Sequence, residues 1–465
     1  MSLRKLLHPF GIRHDVNEDD YMLELNHSAS FIKNFEEIWP KITSADPSWL
    51  KELRLKSRKR FEQLGFPSLK DEEWKYTNLT AILRHKYQIS SASGSRPRRE
   101  ESSSHAQLRK FIQNDPICLV FLDGTFMPEY SSLKDIPSSV KILKLSEAVK
   151  NNDAYAKKLL THYDPEKEPV FAALNKALTP EGTYIYLDAK TVFEKFIHIV
   201  HVASAQDEHL ITFPRSLIYL RENAQATILE SHVSFSNEPV YFSVGLTDIF
   251  LEENAVLHYC KGVKESDKAF NINTTRVWQE NNSNFNGFSF TAGGSISRSN
   301  LDVVLNGQGI NARLDGLYAP YGTQLVDNHT SVDHKLPHCT SSQLYKGILN
   351  GASRAVFNGK IFVRPPAQGT NSYQLNKNLL LGKDCGVDTK PQLEIGADDV
   401  KCTHGATIGQ LNEDELFYLQ ARAIPKKTAV KMLARGFVDD IINRIPSPII
   451  REKCNILLKD AMETI

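Results

Sequence analysis

Hydrophobic positions along the chain fall into three textures. From Asn26 to about Arg84 they recur near helical spacing, with Phe31, Phe35, Ile38 and Trp39 followed by Leu50, Leu53 and Leu55 before the basic Lys56–Arg60 turn; this predicts a small amphipathic helical front end. From about Pro116 to Gly405 the pattern changes to short apolar runs, such as those at Cys118–Leu122, Phe196–Val202 and Val256–Tyr259, separated by Gly, Asn, Asp and Pro. These predict strands; convincing helical periodicity is scarce from Lys190 to Gly405, and Leu145–Leu160 is the stretch where helix is expected. After Gly409 the spacing turns helical again. Asn412 stands where it caps a helix, with Glu415 three positions on, and Pro425 suits a first helical turn. The stripe Val430, Met432, Leu433, Phe437, Val438, Ile441 and Ile442 is broad for a peripheral helix. It packs on its own chain or offers a docking face to a partner.

The run between Ile89 and His105, SSASGSRPRREESSSH, is almost free of apolar residues. It cannot offset its ordering entropy by burial, and it reads as a linker. The domains expected are therefore a helical region at 1–88, a linker at 89–105, a β core with its lead-in at 106–409 and a helical region at 410–465. Within the β core, β-helix-β alternation is missing, which argues against a doubly wound nucleotide-binding fold. Glu222-Asn223-Ala224 and Glu253-Asn254-Ala255 each precede a strand and lie 31 positions apart. Turn-then-strand units that recur in this way fit a solenoid, although a large antiparallel sandwich stays open on this signal alone.

Composition narrows the partners. Lysine plus arginine number 56 against 55 aspartate plus glutamate, a net charge of +1, so no global field draws the chain to nucleic acid or an acidic membrane. The six cysteines include no CxxC pair, which speaks against a zinc ribbon or a disulfide framework and for free thiols in a reducing cytoplasm. Met1–Phe10 has no apolar h-region, and no stretch reaches the roughly 18 apolar residues of a membrane span. The expectation is a soluble, unexported protein, in which Asn273 and Asn328 carry no glycan.

There is no GxxxxGK[ST], GxSxG or HExxH motif, so neither nucleotide hydrolysis nor the familiar hydrolases are indicated. Two places gather ligand-type residues. Asp327–Cys339 holds His329, His334, His338 and Cys339; by count it resembles a metal site, but Pro337 and the strand texture make a common face uncertain, so these read first as structural or interface residues, with metal binding the alternative. Cys402 and His404 alternate along an extended segment and would share a face about 7 Å apart. Thiolate and imidazole suit iron or zinc, yet one strand supplies at most two of the four ligands a tetrahedral site needs. A buried thiol beside a hydrogen-bonded histidine is the plainer reading of the pair by itself.

The segments NSYQLNKNLLLG and VDTKPQLEIGADDVKCTHGATIGQLNEDELFYLQARAI, between Asn371 and Ile424, resemble the C-terminal signature of the SufB/SufD family of iron–sulfur cluster assembly scaffolds. The CTHGAT segment is more similar to the SufD branch than to SufB. Leu64–Leu79, Ser341–Gly351 and Gly359–Gln368 resemble further parts of the same family. The resemblance implies a mainly β fold, a right-handed parallel β-helix between N- and C-terminal helical regions, in a non-catalytic subunit that binds no nucleotide. It implies partners of the SufB and SufC type, the ATPase SufC docking on about Leu411–Ile445, with Leu433, Phe437 and Ile441 foremost. It also implies a transient iron–sulfur cluster at the SufB contact, with His404 and then Cys402 as its residues here. Gly396 departs from the family, which commonly has an aromatic residue there. The rival readings are an adaptor that joins the ATPase to SufB without touching metal, and a β-helix enzyme acting on polysaccharide, for which Asp384, Asp388, Asp398 and Asp399 are the dense acids. A homodimer in isolation is left open.

Overall fold

The computed structural model describes residues 31, 36, 38–89, 103–204 and 209–463. The start of the first expected helix, including Phe35, and the linker positions 90–102 lie outside the described residues.

The body is a parallel two-sheet solenoid. From Arg215–Leu220 onward, successive strands alternate between two sheets, so each strand pairs with the next but one in sequence, always parallel. The repeat seen in the sequence is one coil: Val256 pairs with Gln225, 31 positions back. Coil length varies, since Ile296 pairs with Phe270, 26 positions back, and Gly386 with Arg354, 32 back. The sandwich alternative therefore falls.

Asn223, Asn254 and Asn282 turn the chain at φ values of 59°, 56° and 54°, a left-handed conformation that asparagine tolerates better than most residues. The N–H groups of these three donate to the carbonyls of Glu253, Asn281 and Gln308 on the following coil. The turns stack like the strands, which gives the asparagine of the echoed tripeptide a structural reason.

Both faces of the strands are covered. On Gln225–Ser234, Ala226 and Ile228 enter the solenoid interior, while Leu229 packs outward on the C-terminal helices. This double burial is why the strands read as continuous apolar runs. The helices Ser48–Leu64 and Val170–Leu178 lie over the outer face of one sheet, with Trp74 and Phe171 packed on Phe242, Val244 and Ile272. Lys426–Ile442 and Pro448–Glu463 cover the other sheet. Helix appears at Leu145–Lys150 and Ala154–His162, where it was expected. Val170–Leu178 was not expected, and every one of its residues is buried.

Under that helix lies a dry charge network. Arg276 donates from Nε to Asp248 Oδ1 and from Nη1 to Glu168 Oε2, both at 2.6 Å. Arg215 also pairs with Asp248, and Lys176 with Glu168. The pairs join the lead-in segment to the solenoid.

Candidate functional site: the open end of the solenoid

The two ends of the solenoid differ. At the N-terminal end the sheets finish in the short antiparallel strands Thr125–Phe126 and Val140–Lys144. At the C-terminal end they finish in Gly386–Ile395 and Val400–Gln410, strands of 10 and 11 residues that pair on one side only among the described residues. Each presents a row of unpaired backbone donors and acceptors, which soluble proteins normally blunt or cover. Among the described residues no such cover is present on this face: Ile395 and Ile408 keep 44% and 48% of their surface exposed.

Val400–Gln410 carries both expected site residues. In register, Cys402 lies beside Ser372, and His404 beside Gln374. Ser372 and Gln374 are fully buried and hydrogen-bond inward, to Ser341 and to Gln343. Cys402 and His404 thus occupy successive inward positions on the last rung, where no further rung covers them. The structure brings the pair together on one face, as alternation requires.

Their surroundings differ. Cys402 is half-buried against Ile361, Val363, Ala367 and Leu393. Burial pushes its thiol above the ordinary range, against a Ser372 backbone hydrogen bond that pulls it down. It needs a metal ion or a base close by to become a thiolate ligand. His404 is exposed. Two donors at an uncovered edge make an incomplete coordination set that a neighbouring chain could complete. Gly396, in the turn before this strand, lies against Pro365: a Cβ there would meet the proline ring at 3.3 Å.

The histidine group at Asp327–Cys339 does not converge. His329 faces outward, with Nε2 2.9 Å from Asp327 and Nδ1 3.4 Å from Glu73. His334 faces inward and shares a 2.9 Å hydrogen bond with Ser341. His338 is exposed in a left-handed turn, and the buried Cys339 thiol donates to the Gly307 carbonyl at 3.1 Å. The acids of the polysaccharide reading are also dispersed: Asp384 and Asp388 lie at one end of Gly386–Ile395, Asp398 and Asp399 beyond the other. All six cysteines are free thiols.

Beyond the last strand, the side chain of Asn412 accepts from the backbone N–H groups of Asp414 and Glu415, capping Glu413–Ala421. No residue of that helix is buried, and Phe417 and Tyr418 are 72% and 56% exposed. Leu433 lines a shallow hollow with Asp414, Glu415, Tyr418 and Leu419. Phe437 is half-buried, and Lys346 donates to its carbonyl at 2.8 Å and to Asp440 at 2.6 Å. Ile441 is fully buried against the solenoid. It holds the helix down and is not available to a partner. An accessible apolar face here consists of Phe417, Tyr418, Leu433 and the exposed Met432.

Sequence reasoning missed a buried group, His201, Glu230 and His232, whose ligand-type atoms all lie within 4.8 Å of one another. The signal was present, because His232 follows His201 by 31 positions, the repeat already noted at Glu222 and Glu253. No helix among the described residues is long and apolar enough to cross a membrane.

Comparison with known proteins agrees with this architecture. Residues 201–437 match the family described as SUF system FeS cluster assembly, SufBD core domain, and residues 25–199 match the SufBD protein N-terminal region. The chain is 31% identical over 379 residues to the iron–sulfur cluster assembly protein SufD of Escherichia coli K12, covering 81% of this chain and 85% of that protein. It is 31% identical over 393 residues to an iron–sulfur cluster assembly SufBD family protein of Synechocystis, covering 82% and 84%. It is 28% identical over 446 residues to the chloroplastic protein ABCI7 of Arabidopsis thaliana, covering 92% and 90%.

Proposed function

The chain belongs to the SufBD family of the SUF system, and from that premise we propose that it is a SufD-type scaffold subunit in iron–sulfur cluster assembly, itself without catalytic activity. It works joined to a SufB-type chain and to the ATPase SufC. The observation that carries this reading is the last rung, where His404 stands exposed and Cys402 half-buried on one edge strand, and both edge strands pair on one side only among the described residues. A strand from a second chain of similar fold would satisfy those backbone groups by β-addition and bring the missing ligands to the same face. The cluster is cargo, formed where the two chains meet and then released. His404 is the first residue of the site and Cys402 the second. SufC docks on the C-terminal helices, through Phe417, Tyr418, Leu433 and the half-buried Phe437. Free thiols suit a reducing compartment such as the cytoplasm.

The test is co-expression with a SufB-type and a SufC-type partner, followed by anaerobic reconstitution with ferrous iron and sulfide. The three chains are expected to co-purify and to develop visible absorbance. His404→Ala should lower that absorbance severalfold without loss of assembly, and Cys402→Ser should lower it less. Unchanged absorbance in both variants would favour the metal-free adaptor.

Docking is tested separately. The double variant Phe417→Ser and Tyr418→Ser should lose SufC from the complex by about tenfold or more, the scale of losing an exposed aromatic anchor pair, and should keep the SufB-type partner. Retention of SufC at wild-type level would move the docking face elsewhere.

A further inference from the structure

Three rungs near the other end of the solenoid place polar side chains on its inner face. In register, His201 lies beside His232, and Glu230 beside Lys261. The imidazole rings are 4.8 Å apart, and His232 Nε2 lies 2.9 Å from Glu230 Oε1. The other Glu230 oxygen accepts from Thr247 at 3.0 Å and from Tyr259 at 2.7 Å. Phe121 stacks on His201 at 5.2 Å. The carboxylate is thus held by neighbours of its own, as metal ligands commonly are.

These groups are more than nine-tenths buried, yet His201 Nε2 has no hydrogen-bond partner, and His232 is engaged only through Nε2, which faces Glu230. A buried ring nitrogen left bare costs stability. Two imidazoles and one carboxylate form a set of borderline softness, suited to zinc or ferrous iron and unsuited to magnesium. Bonds of about 2.1 Å to one tetrahedral ion would set neighbouring ligand atoms about 3.4 Å apart, a few tenths of an ångström from the spacing of Glu230 and His232.

We propose that His201, Glu230 and His232 form an interior site for one divalent first-row transition ion. Lys261, whose ammonium lies 3.4 Å from Glu230 Oε1, is the rival cation at that carboxylate. Glu265, farther along the inner face, is engaged by Tyr241 and by Asn271 at 2.8 Å, so the described residues supply three ligands. The site lies six rungs from Val400–Gln410 in the same sheet, roughly 29 Å at about 4.8 Å per rung. It is independent of the assembly reading.

The test uses the full chain stripped of metal and titrated with cobalt(II), whose visible bands report its coordination. Saturation at one equivalent is expected, with displacement by zinc and none by magnesium. His201→Gln and His232→Gln should each weaken binding by at least about 100-fold, beyond the 10–100-fold that second-shell changes give. The double variant Cys402→Ser and His404→Ala should bind as the parent does, which separates this site from the assembly face. Lys261→Met covers the case in which a histidine variant does not fold: loss of the rival cation should tighten cobalt binding by about tenfold. A parent chain without a saturable band, a band that survives both histidine changes, or an unaltered affinity in Lys261→Met would each overturn the proposal.

Discussion

Asp248→Asn is expected to destabilise the chain by about 3 to 5 kcal/mol, the range measured when one partner of a buried ion pair is removed. Asp248 is 1% exposed and binds two guanidinium groups, those of Arg215 and Arg276. Around it three cations, Arg215, Arg276 and Lys176, face two carboxylates, Asp248 and Glu168. Asparagine keeps the shape and one acceptor but leaves three positive charges against one negative, in a place water does not reach. Asp302 does not substitute, because burial holds its carboxyl above the ordinary range despite the pull of Arg276. The Tyr163 ring, 3.7 Å from the Arg276 guanidinium carbon, offers only its face.

The pH dependence has a fixed sign. Burial alone would push the Asp248 carboxyl up, but Arg215 and Arg276 more than reverse this and hold it below its ordinary value. Its contribution is complete above about pH 4, the unfolded value, and fades as pH falls further. Urea melts followed by circular dichroism should therefore show the full loss at pH 6, and less at pH 8, where Lys176, held down to about 8 by burial, is losing its proton. Between pH 4 and pH 2.5 the variant should lose stability less steeply than the parent. A loss under 1 kcal/mol at pH 7 would mean that the network is already balanced by another group.

The solenoid was legible because its periodicity is forced. A coil returns to the same place after about thirty residues, and the turn needs a residue tolerant of left-handed φ, so Asn223 and Asn254 repeat with their neighbours. The alternation that joins Cys402 to His404 was legible for the same reason: a strand gives successive even positions one face. What a single strand does not encode is its place in the stack. The inward positions of an inner rung are dry, while on the last rung the same parity leaves His404 exposed, and only the count of coils distinguishes the two. Val170–Leu178 escaped notice because it is a short run, mostly apolar, and short apolar runs of helix and strand are not told apart by pattern alone. The stripe Leu433, Phe437 and Ile441 was read as one surface, but the solenoid takes the Ile441 edge and leaves Leu433 toward Tyr418. The group at His201, Glu230 and His232 spans two rungs, and it becomes visible only when the 31-residue repeat is applied to histidines as well as to turns.

The double variant Ile395→Glu and Ile408→Glu should abolish capture of the SufB-type partner while leaving the isolated chain within about 0.5 kcal/mol of the parent, as exposed substitutions usually do. The two isoleucines sit on the two edge strands and are among the exposed large apolar residues of the described chain. In the free chain a glutamate at either place is solvated. In a strand-added complex it would be taken out of water with no cation assigned to it, a cost of several kcal/mol, or at least about 100-fold in affinity. Negative charge on an edge also repels an incoming strand before pairing begins. This variant and His404→Ala divide the reading into two parts: the first should remove both partner and absorbance, the second absorbance alone. Partner retained at wild-type level in the double glutamate variant, with melts showing a folded chain, would place the contact away from the last rung and leave His404 and Cys402 without a source for their missing ligands.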